Sequence, residues 1–346
     1  MSALPYLLAA GAAGPVTWWL SRRVWRPPPP LTEAELQRRT APGGPSEGAR
    51  FARLPSGELI SWWEFGPPGA LPLVALHGMG LSGRSFSGME HLCRARNLRL
   101  VAPNLVGGLA HVPPSARLVD LSASVLRLMD FLGHERFDVL GTSFGTLPAL
   151  GLAALAPRRV RRAGLFGPLL AGPWLAEAPE LLRSVKREDR MVMTAAQRSP
   201  RLLHLMTALF GLYPTSVAIR SFMDAQLSDA ERALFQPGHS FHASFSRDLE
   251  ECGQRGFWYM AHGSLLAFGR EPGFTLEQVD AGGVPLLLQT GARDNVHTPA
   301  MAEHLNRRLR HSTLHVVPGL GRFGCVGPFL EAGVARLLDL PPRETA

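Results

Sequence analysis

The pentapeptide Gly141-Thr142-Ser143-Phe144-Gly145 joins an apolar run, Phe137 to Gly141, to a helical run of Ala and Leu, Leu147 to Leu155. A serine on such a sharp strand-to-helix turn stands above the sheet edge, and the flanking glycines keep side chains out of the crowded bend. That geometry suits a nucleophile in acyl transfer, provided a base can take the hydroxyl proton. A second run, His77-Gly78-Met79-Gly80, follows another apolar strand pattern. Acyl transfer needs two backbone N–H groups aimed at the developing oxyanion. The N–H after the serine, Phe144, and one from this second loop, Met79, are candidates for the pair. His77 reads as a residue that shapes the loop rather than as a proton carrier, and with Gly78 it borders the substrate-binding space.

The elements that must position these residues alternate between strand and helix from about residue 51, the mark of a mostly parallel sheet covered on both faces. Leu59–Phe65, Leu73–Leu76, Leu98–Ala102, Phe137–Gly141 and Ala163–Phe166 read as strands, and Leu118–Leu132 has apolar residues at helical spacing. The alternation stops at residues 171–280, where Trp174–Val185, Arg201–Leu212 and Leu227–Phe235 carry helical patterns. It resumes with a strand ending at Gly291, a helix with Thr298 as cap and Pro299 at its first position, a strand Thr313–Val317 and a final helix near Pro328–Leu338. The expected fold class is α/β: a central, mostly parallel sheet with helices on both faces and a helical lid inserted between the sixth and seventh core segments. The expected divisions are an apolar segment 1–26, a Pro/Gly-rich linker 27–50, a core of 51–170 and 284–340, and a lid of 171–283.

The runs LVALHGMGLSGRSF, LRLVAPNLVGG, DVLGTSFGTLPAL and VPLLLQTGARDNVHTP, in this order, resemble the α/β-hydrolase family with a helical lid. The resemblance implies hydrolysis of an ester, amide or lipid-like substrate without a cofactor or metal. It also implies that Asp294, in Gly291-Ala-Arg-Asp294-Asn-Val-His-Thr-Pro299, is the triad acid. Ser143 sets the chain apart from the dehalogenase and epoxide-hydrolase branches, which use Asp as nucleophile. Asn104 and Val106 depart from residues common after the fourth strand, with consequences expected for loop structure.

The family pattern next calls for a histidine just after the last strand, where this chain reads Val317-Pro-Gly-Leu-Gly321-Arg322-Phe-Gly-Cys325. Arginine stays protonated and offers only donors, so Arg322 cannot serve as a base. Two readings stay open. In the first, His297, on the Asp294 loop, swings toward Ser143 as a substitute base, with an orienting partner other than its near neighbour. In the second, Arg322 pairs with Asp294, or clamps a ligand anion, and the fold is a catalytically inactive binding or interaction scaffold. His315 lies inside the last strand, and the lid histidines His239, His242 and His262 have no position fixed by sequence.

The formal net charge is +8, but the arginines are scattered and no aromatic-interleaved basic stripe appears, so nucleic acid is not an expected partner. Cys93, Cys252 and Cys325 have neither disulfide nor zinc spacing. Ser2 to Leu20 carries no charge and is followed by Arg22, Arg23 and Arg26. Residues 2–26 therefore suggest membrane association with the main domain on the cytoplasmic side, or alternatively an organellar targeting segment. Leu202, Leu205, Met206, Leu209, Phe210 and Leu212 suggest a lid that meets an apolar acyl or alkyl group, the substrate being a small apolar ester or lipid-like molecule.

Overall fold

The strands β1 (Arg50–Arg53), β2 (Leu59–Phe65), β3 (Leu71–Leu76), β4 (Leu98–Pro103), β5 (Phe137–Thr142), β6 (Val160–Phe166), β7 (Leu286–Gly291) and β8 (Ser312–Val317) form one sheet in the order β1-β2-β4-β3-β5-β6-β7-β8. The computed structural model describes residues 24–210, 227–253 and 258–343. β1 and β2 are antiparallel to their neighbours, and the strands from β4 to β8 run parallel. Every residue of β5 and β7 is buried, as expected for central strands covered on both faces. Alternate residues of β3 feed two cores: Val74 and Leu76 belong to one, Leu73 and Ala75 to the other.

The helices outside the insertion are α1 (Glu33–Thr40), α2 (Glu90–Ala95), α3 (Leu118–Phe131) and α4 (Thr146–Leu155) before it, with α12 (Pro299–Arg308) and α13 (Gly327–Asp339) after it. Between β6 and β7 come α5 (Gly172–Glu177), α6 (Arg187–Arg198), α7 (Pro200–Phe210), α8 (Asp229–Leu234), α9 (Ser240–Gly253), α10 (Trp258–Phe268) and α11 (Leu276–Gly282). The expected helical insertion is present, without a strand among its described residues. Its first predicted helix is divided: α5 stops at Ala178, which precedes Pro179 and adopts φ −134° and ψ 65°, and a 3-10 turn follows. The proline ring disfavours helical backbone at the residue before it.

One other expectation is corrected. Residues 27–50 are not only linker, because Thr32 and Glu35 form a reciprocal capping box that starts α1, and Leu36 is buried against the core. Thr298 is the N-cap of α12 and Pro299 its first residue, as expected; the cap makes no side-chain bond to the helix, and Ser184 Oγ donates to its hydroxyl at 3.0 Å. The apolar segment Ser2–Leu20 lies outside the described residues, as does Leu212. Among the described residues, no helix is long and apolar enough to cross a membrane.

Candidate active site

β5 ends at Thr142, and Ser143 follows with φ 50°. For a residue other than glycine this left-handed backbone costs about 1–3 kcal/mol, and it is retained only where the surroundings enforce it. Here they do. A Cβ at Gly145 would lie 2.0 Å from Leu76 O, and one at Gly141 would lie 2.5 Å from Gly145 O. The turn is that tight, and its glycines are a steric necessity. Thr146 fixes the exit by donating its hydroxyl to Ser143 O at 2.6 Å and accepting from Leu169 N. Phe144 is buried behind the half-buried Ser143.

The loop after β7 brings the other groups. Asp294 Oδ1 accepts from the N–H groups of Val296 (2.8 Å) and His297 (2.9 Å), an Asx-type turn made by the residue's own side chain. Its second oxygen, Oδ2, lies 3.0 Å from His297 Nδ1. His297 Nε2 lies 2.8 Å from Ser143 Oγ. An ionised carboxylate can only accept, so Nδ1 carries the proton and Nε2 presents its lone pair to the serine hydroxyl. Burial alone raises the Asp294 carboxyl. The His297 ring and the two backbone donors outweigh it and hold the group below the ordinary carboxylate value.

The imidazole is held on several sides. Thr290 donates its hydroxyl to His297 O at 2.6 Å. Gly167, with φ 63°, faces the ring so closely that a Cβ there would come within 3.0 Å of Nδ1 and 3.3 Å of Cys325 Sγ. Burial raises the Cys325 thiol well above its ordinary value.

Three expectations about this region are therefore corrected. His297 reaches Ser143, as the first reading has it, but its orienting partner is the near neighbour Asp294. Arg322 does not pair with Asp294: its Nη1 lies 3.7 Å from Asp189 Oδ2 on α6, and its guanidinium lies 5.7 Å from the Phe323 ring centroid. His77 shapes the loop, as expected, but no nitrogen of its ring is directed to the cleft. Its Nδ1 lies 2.8 Å from Gly78 O, and its Nε2 accepts from Leu105 N at 2.9 Å. Burial pushes its pKa down to about 4, so the ring is neutral and joins two loops.

Gly78 stands beside the serine, where a Cβ would lie 3.4 Å from Ser143 Cβ. Asn104 has the expected loop role: Oδ1 accepts from Gly83 N, and Nδ2 donates to Ser61 Oγ. His315 is held within β8 opposite Gln289. His239 is exposed, His242 lies half-buried on α9, and His262 is buried with Nε2 3.1 Å from Pro113 O. Leu202 and Leu209 are exposed to solvent, whereas Met206 packs on the core. An open cleft of about 1150 Å³ between α1, β2 and α3 includes none of Ser143, Asp294 and His297 in its walls.

Sequence reasoning missed Glu231, on α8. Its fully buried carboxylate accepts from Gly321 N (2.8 Å) and Phe323 N (2.9 Å), on either side of Arg322. The Ser228-x-x-Glu231 capping box signals the helix start but not this distant contact.

Residues 72–327 match the model of the alpha/beta hydrolase fold family. The chain belongs to that family. It is 34% identical over 160 residues to the 2-hydroxy-6-oxononadienedioate/2-hydroxy-6-oxononatrienedioate hydrolase 2 of Pseudomonas putida, covering 41% of this chain and 54% of that one. It is also 34% identical over 112 residues to the dihydrolipoyllysine-residue acetyltransferase component of the acetoin cleaving system of P. putida, covering 32% and 30%. The chain thus spans a third to a half of the length of these curated relatives. A crystal structure of a hydrolase from Pseudomonas aeruginosa PA01 superposes with TM-score 0.60 at 20% identity, covering 85% of this chain and 100% of that one.

Proposed function

We propose that the protein is a serine hydrolase acting on an ester, amide or lipid-like apolar substrate, with Ser143 as nucleophile, His297 as general base and Asp294 as its orienting acid. The observation that carries this reading is the unbroken chain from Asp294 Oδ2 through both imidazole nitrogens to Ser143 Oγ, with neither contact longer than 3.0 Å. Both distances lie within the reach required for proton transfer. In this reading His297 Nε2 takes the hydroxyl proton as Oγ attacks the acyl carbon. The N–H groups of Met79 and Phe144 receive the developing oxyanion, and the imidazolium returns the proton to the leaving group. Water then attacks the acyl-serine with the same base. The alternative of an inactive scaffold rested on a missing base, and the position of His297 counts against it.

A fluorophosphonate probe is expected to label the wild-type protein and not Ser143→Ala. A folded wild-type protein that resists labelling, and hydrolyses no p-nitrophenyl ester faster than Ser143→Ala does, would sink the proposal.

Membrane-surface association is a second proposal, favoured by a separate observation. Trp25, just after the uncharged run Ser2–Leu20, donates its indole N–H at 3.3 Å to the carbonyl of Arg201 in α7, whose Leu202 and Leu209 are 49% and 52% exposed. Flotation with anionic vesicles should be lost on removing residues 1–26; equal flotation of both forms would contradict it.

A further inference from the structure

The loop between β3 and α2 is gripped residue by residue by α9 and α10 of the insertion. Met79 packs on Gly263, and Ser264 Oγ lies 3.2 Å from its Sδ. A Cβ at Gly80 would lie 3.7 Å from Met260 Cε and 3.9 Å from Leu249 Cδ2. Leu81 O accepts from Cys252 Sγ at 2.8 Å. At Ser82, both the backbone N–H (3.0 Å) and the hydroxyl (2.5 Å) meet Asp248 Oδ1. On the core side, Gly83 N donates to Asn104. Of these links, the one between Ser82 and Asp248 is the strongest polar tie from the insertion to the loop, and both side chains are buried.

We propose that the insertion completes the oxyanion hole of this enzyme, with Asp248 as the positioning residue that sets, through Ser82, where the Met79 N–H points. The inference rests on the serine-hydrolase reading above. A backbone donor is useful only if it is already aimed at the oxyanion when charge develops. A loop with this many glycines does not hold one conformation by itself, because glycine backbone is permissive. The insertion therefore does more than cover the site, and a displaced α9 leaves Ser143 and His297 assembled but the oxyanion poorly held.

The surroundings of Asp248 favour an uncharged tie. Burial pushes its carboxyl up to about 8; Ser82 opposes this, Glu251 one turn along α9 adds to it, and Arg84 on the loop side opposes it. Cys252 from α9 borders the same pair, and Arg39 faces Glu251. Asparagine keeps the shape of the group and an acceptor oxygen for Ser82.

The test uses full-length protein and p-nitrophenyl butyrate. Asp248→Ala should lower kcat by ~10²-fold, as for the loss of an oxyanion donor, with KM changed by less than about threefold, as a transition-state loss requires. Asp248→Asn should restore kcat to within about threefold of wild type, because Oδ1 still accepts from Ser82. A kcat for Asp248→Ala within about threefold of wild type, or an Asp248→Asn as impaired as the alanine variant, overturns the proposal. If Asp248→Ala does not fold, Ser82→Ala decides: about a tenfold loss in kcat supports the tie, and a loss below twofold overturns it. Ser143→Ala separates the two readings. If it hydrolyses the ester as fast as wild type, the serine mechanism itself fails; if it is inactive while Asp248→Ala keeps wild-type kcat, only the coupling fails.

Discussion

The loops after β7 and β8 emerge from neighbouring parallel strands at the same end of the sheet, yet they perform different work. The first carries an acid and an imidazole within four residues and aims the imidazole at Ser143. The second carries Arg322, where a family resemblance expects histidine, and is tied to the insertion through Glu231, Asp189 and the aromatic group of Phe235, Phe241, Phe245 and Phe323. The loops also support each other, since Ala292 N donates to Val317 O and Arg293 N to Leu320 O. A proton-transfer group is defined by where its nitrogen lies, and two different loops can deliver a nitrogen to one serine. Once the first does so, the second is available for holding other elements in place.

The sharpest break of this contrast is His297→Ala, expected to lower kcat/KM by ~10⁴-fold on a p-nitrophenyl ester with an unchanged circular dichroism spectrum. Retention of more than a tenth of wild-type activity would show that the first loop is not the proton carrier. Glu231→Ala leaves two buried N–H groups beside Arg322 unsatisfied, so urea unfolding should show a loss of about 2–4 kcal/mol. Its effect on kcat should be far smaller than that of His297→Ala. Gly167→Ala should lower kcat by roughly tenfold, about 1.4 kcal/mol, because the new methyl meets the imidazole on a backbone that disfavours it. Full activity in that variant would mean that the ring is free to shift. Arg322→His should raise esterase kcat by less than about threefold, because on the proposed mechanism the serine already has its base, and the lost ion pair with Asp189 should change stability by less than about 1 kcal/mol. A gain of orders of magnitude would instead assign the working imidazole to the second loop.

A pH series adds a sign to the comparison. The Asp294 carboxyl is held below its ordinary value, so its stabilisation is complete above the unfolded value of 3.8 and is lost as pH falls through the lower folded value. Wild type should therefore lose more unfolding free energy than Asp294→Asn on acidification from pH 5 to pH 3. Equal losses would argue against an ionised carboxylate behind His297.

The sequence makes the serine turn legible because its requirement is local: Gly141 and Gly145 are spaced for a bend that admits no Cβ. The alternation of strand and helix exposes the sheet for the same reason. Asp294 is legible through resemblance. The position of His297 is not, because it follows from a side-chain turn that folds the loop onto its own aspartate, and from the gap left by Gly167 on a different strand-end. The roles of Glu231 and Asp248 are less visible still. Each meets partners about 90 or more residues away in the chain, and no periodicity encodes such a meeting. The helix α1 was hidden by the prolines and glycines around it, although Thr32 and Glu35 mark its start.

The short stretch from Asp294 to His297 has an evolutionary and practical consequence. Where acid and base sit on separate strand-ends, two distant parts of a gene must stay matched for the pair to meet. On the mechanism proposed above, one brief coding segment specifies both partners and their spacing, so a single exchange could carry the whole proton-handling unit into a related scaffold, with only the reach to the recipient's serine left to be tuned.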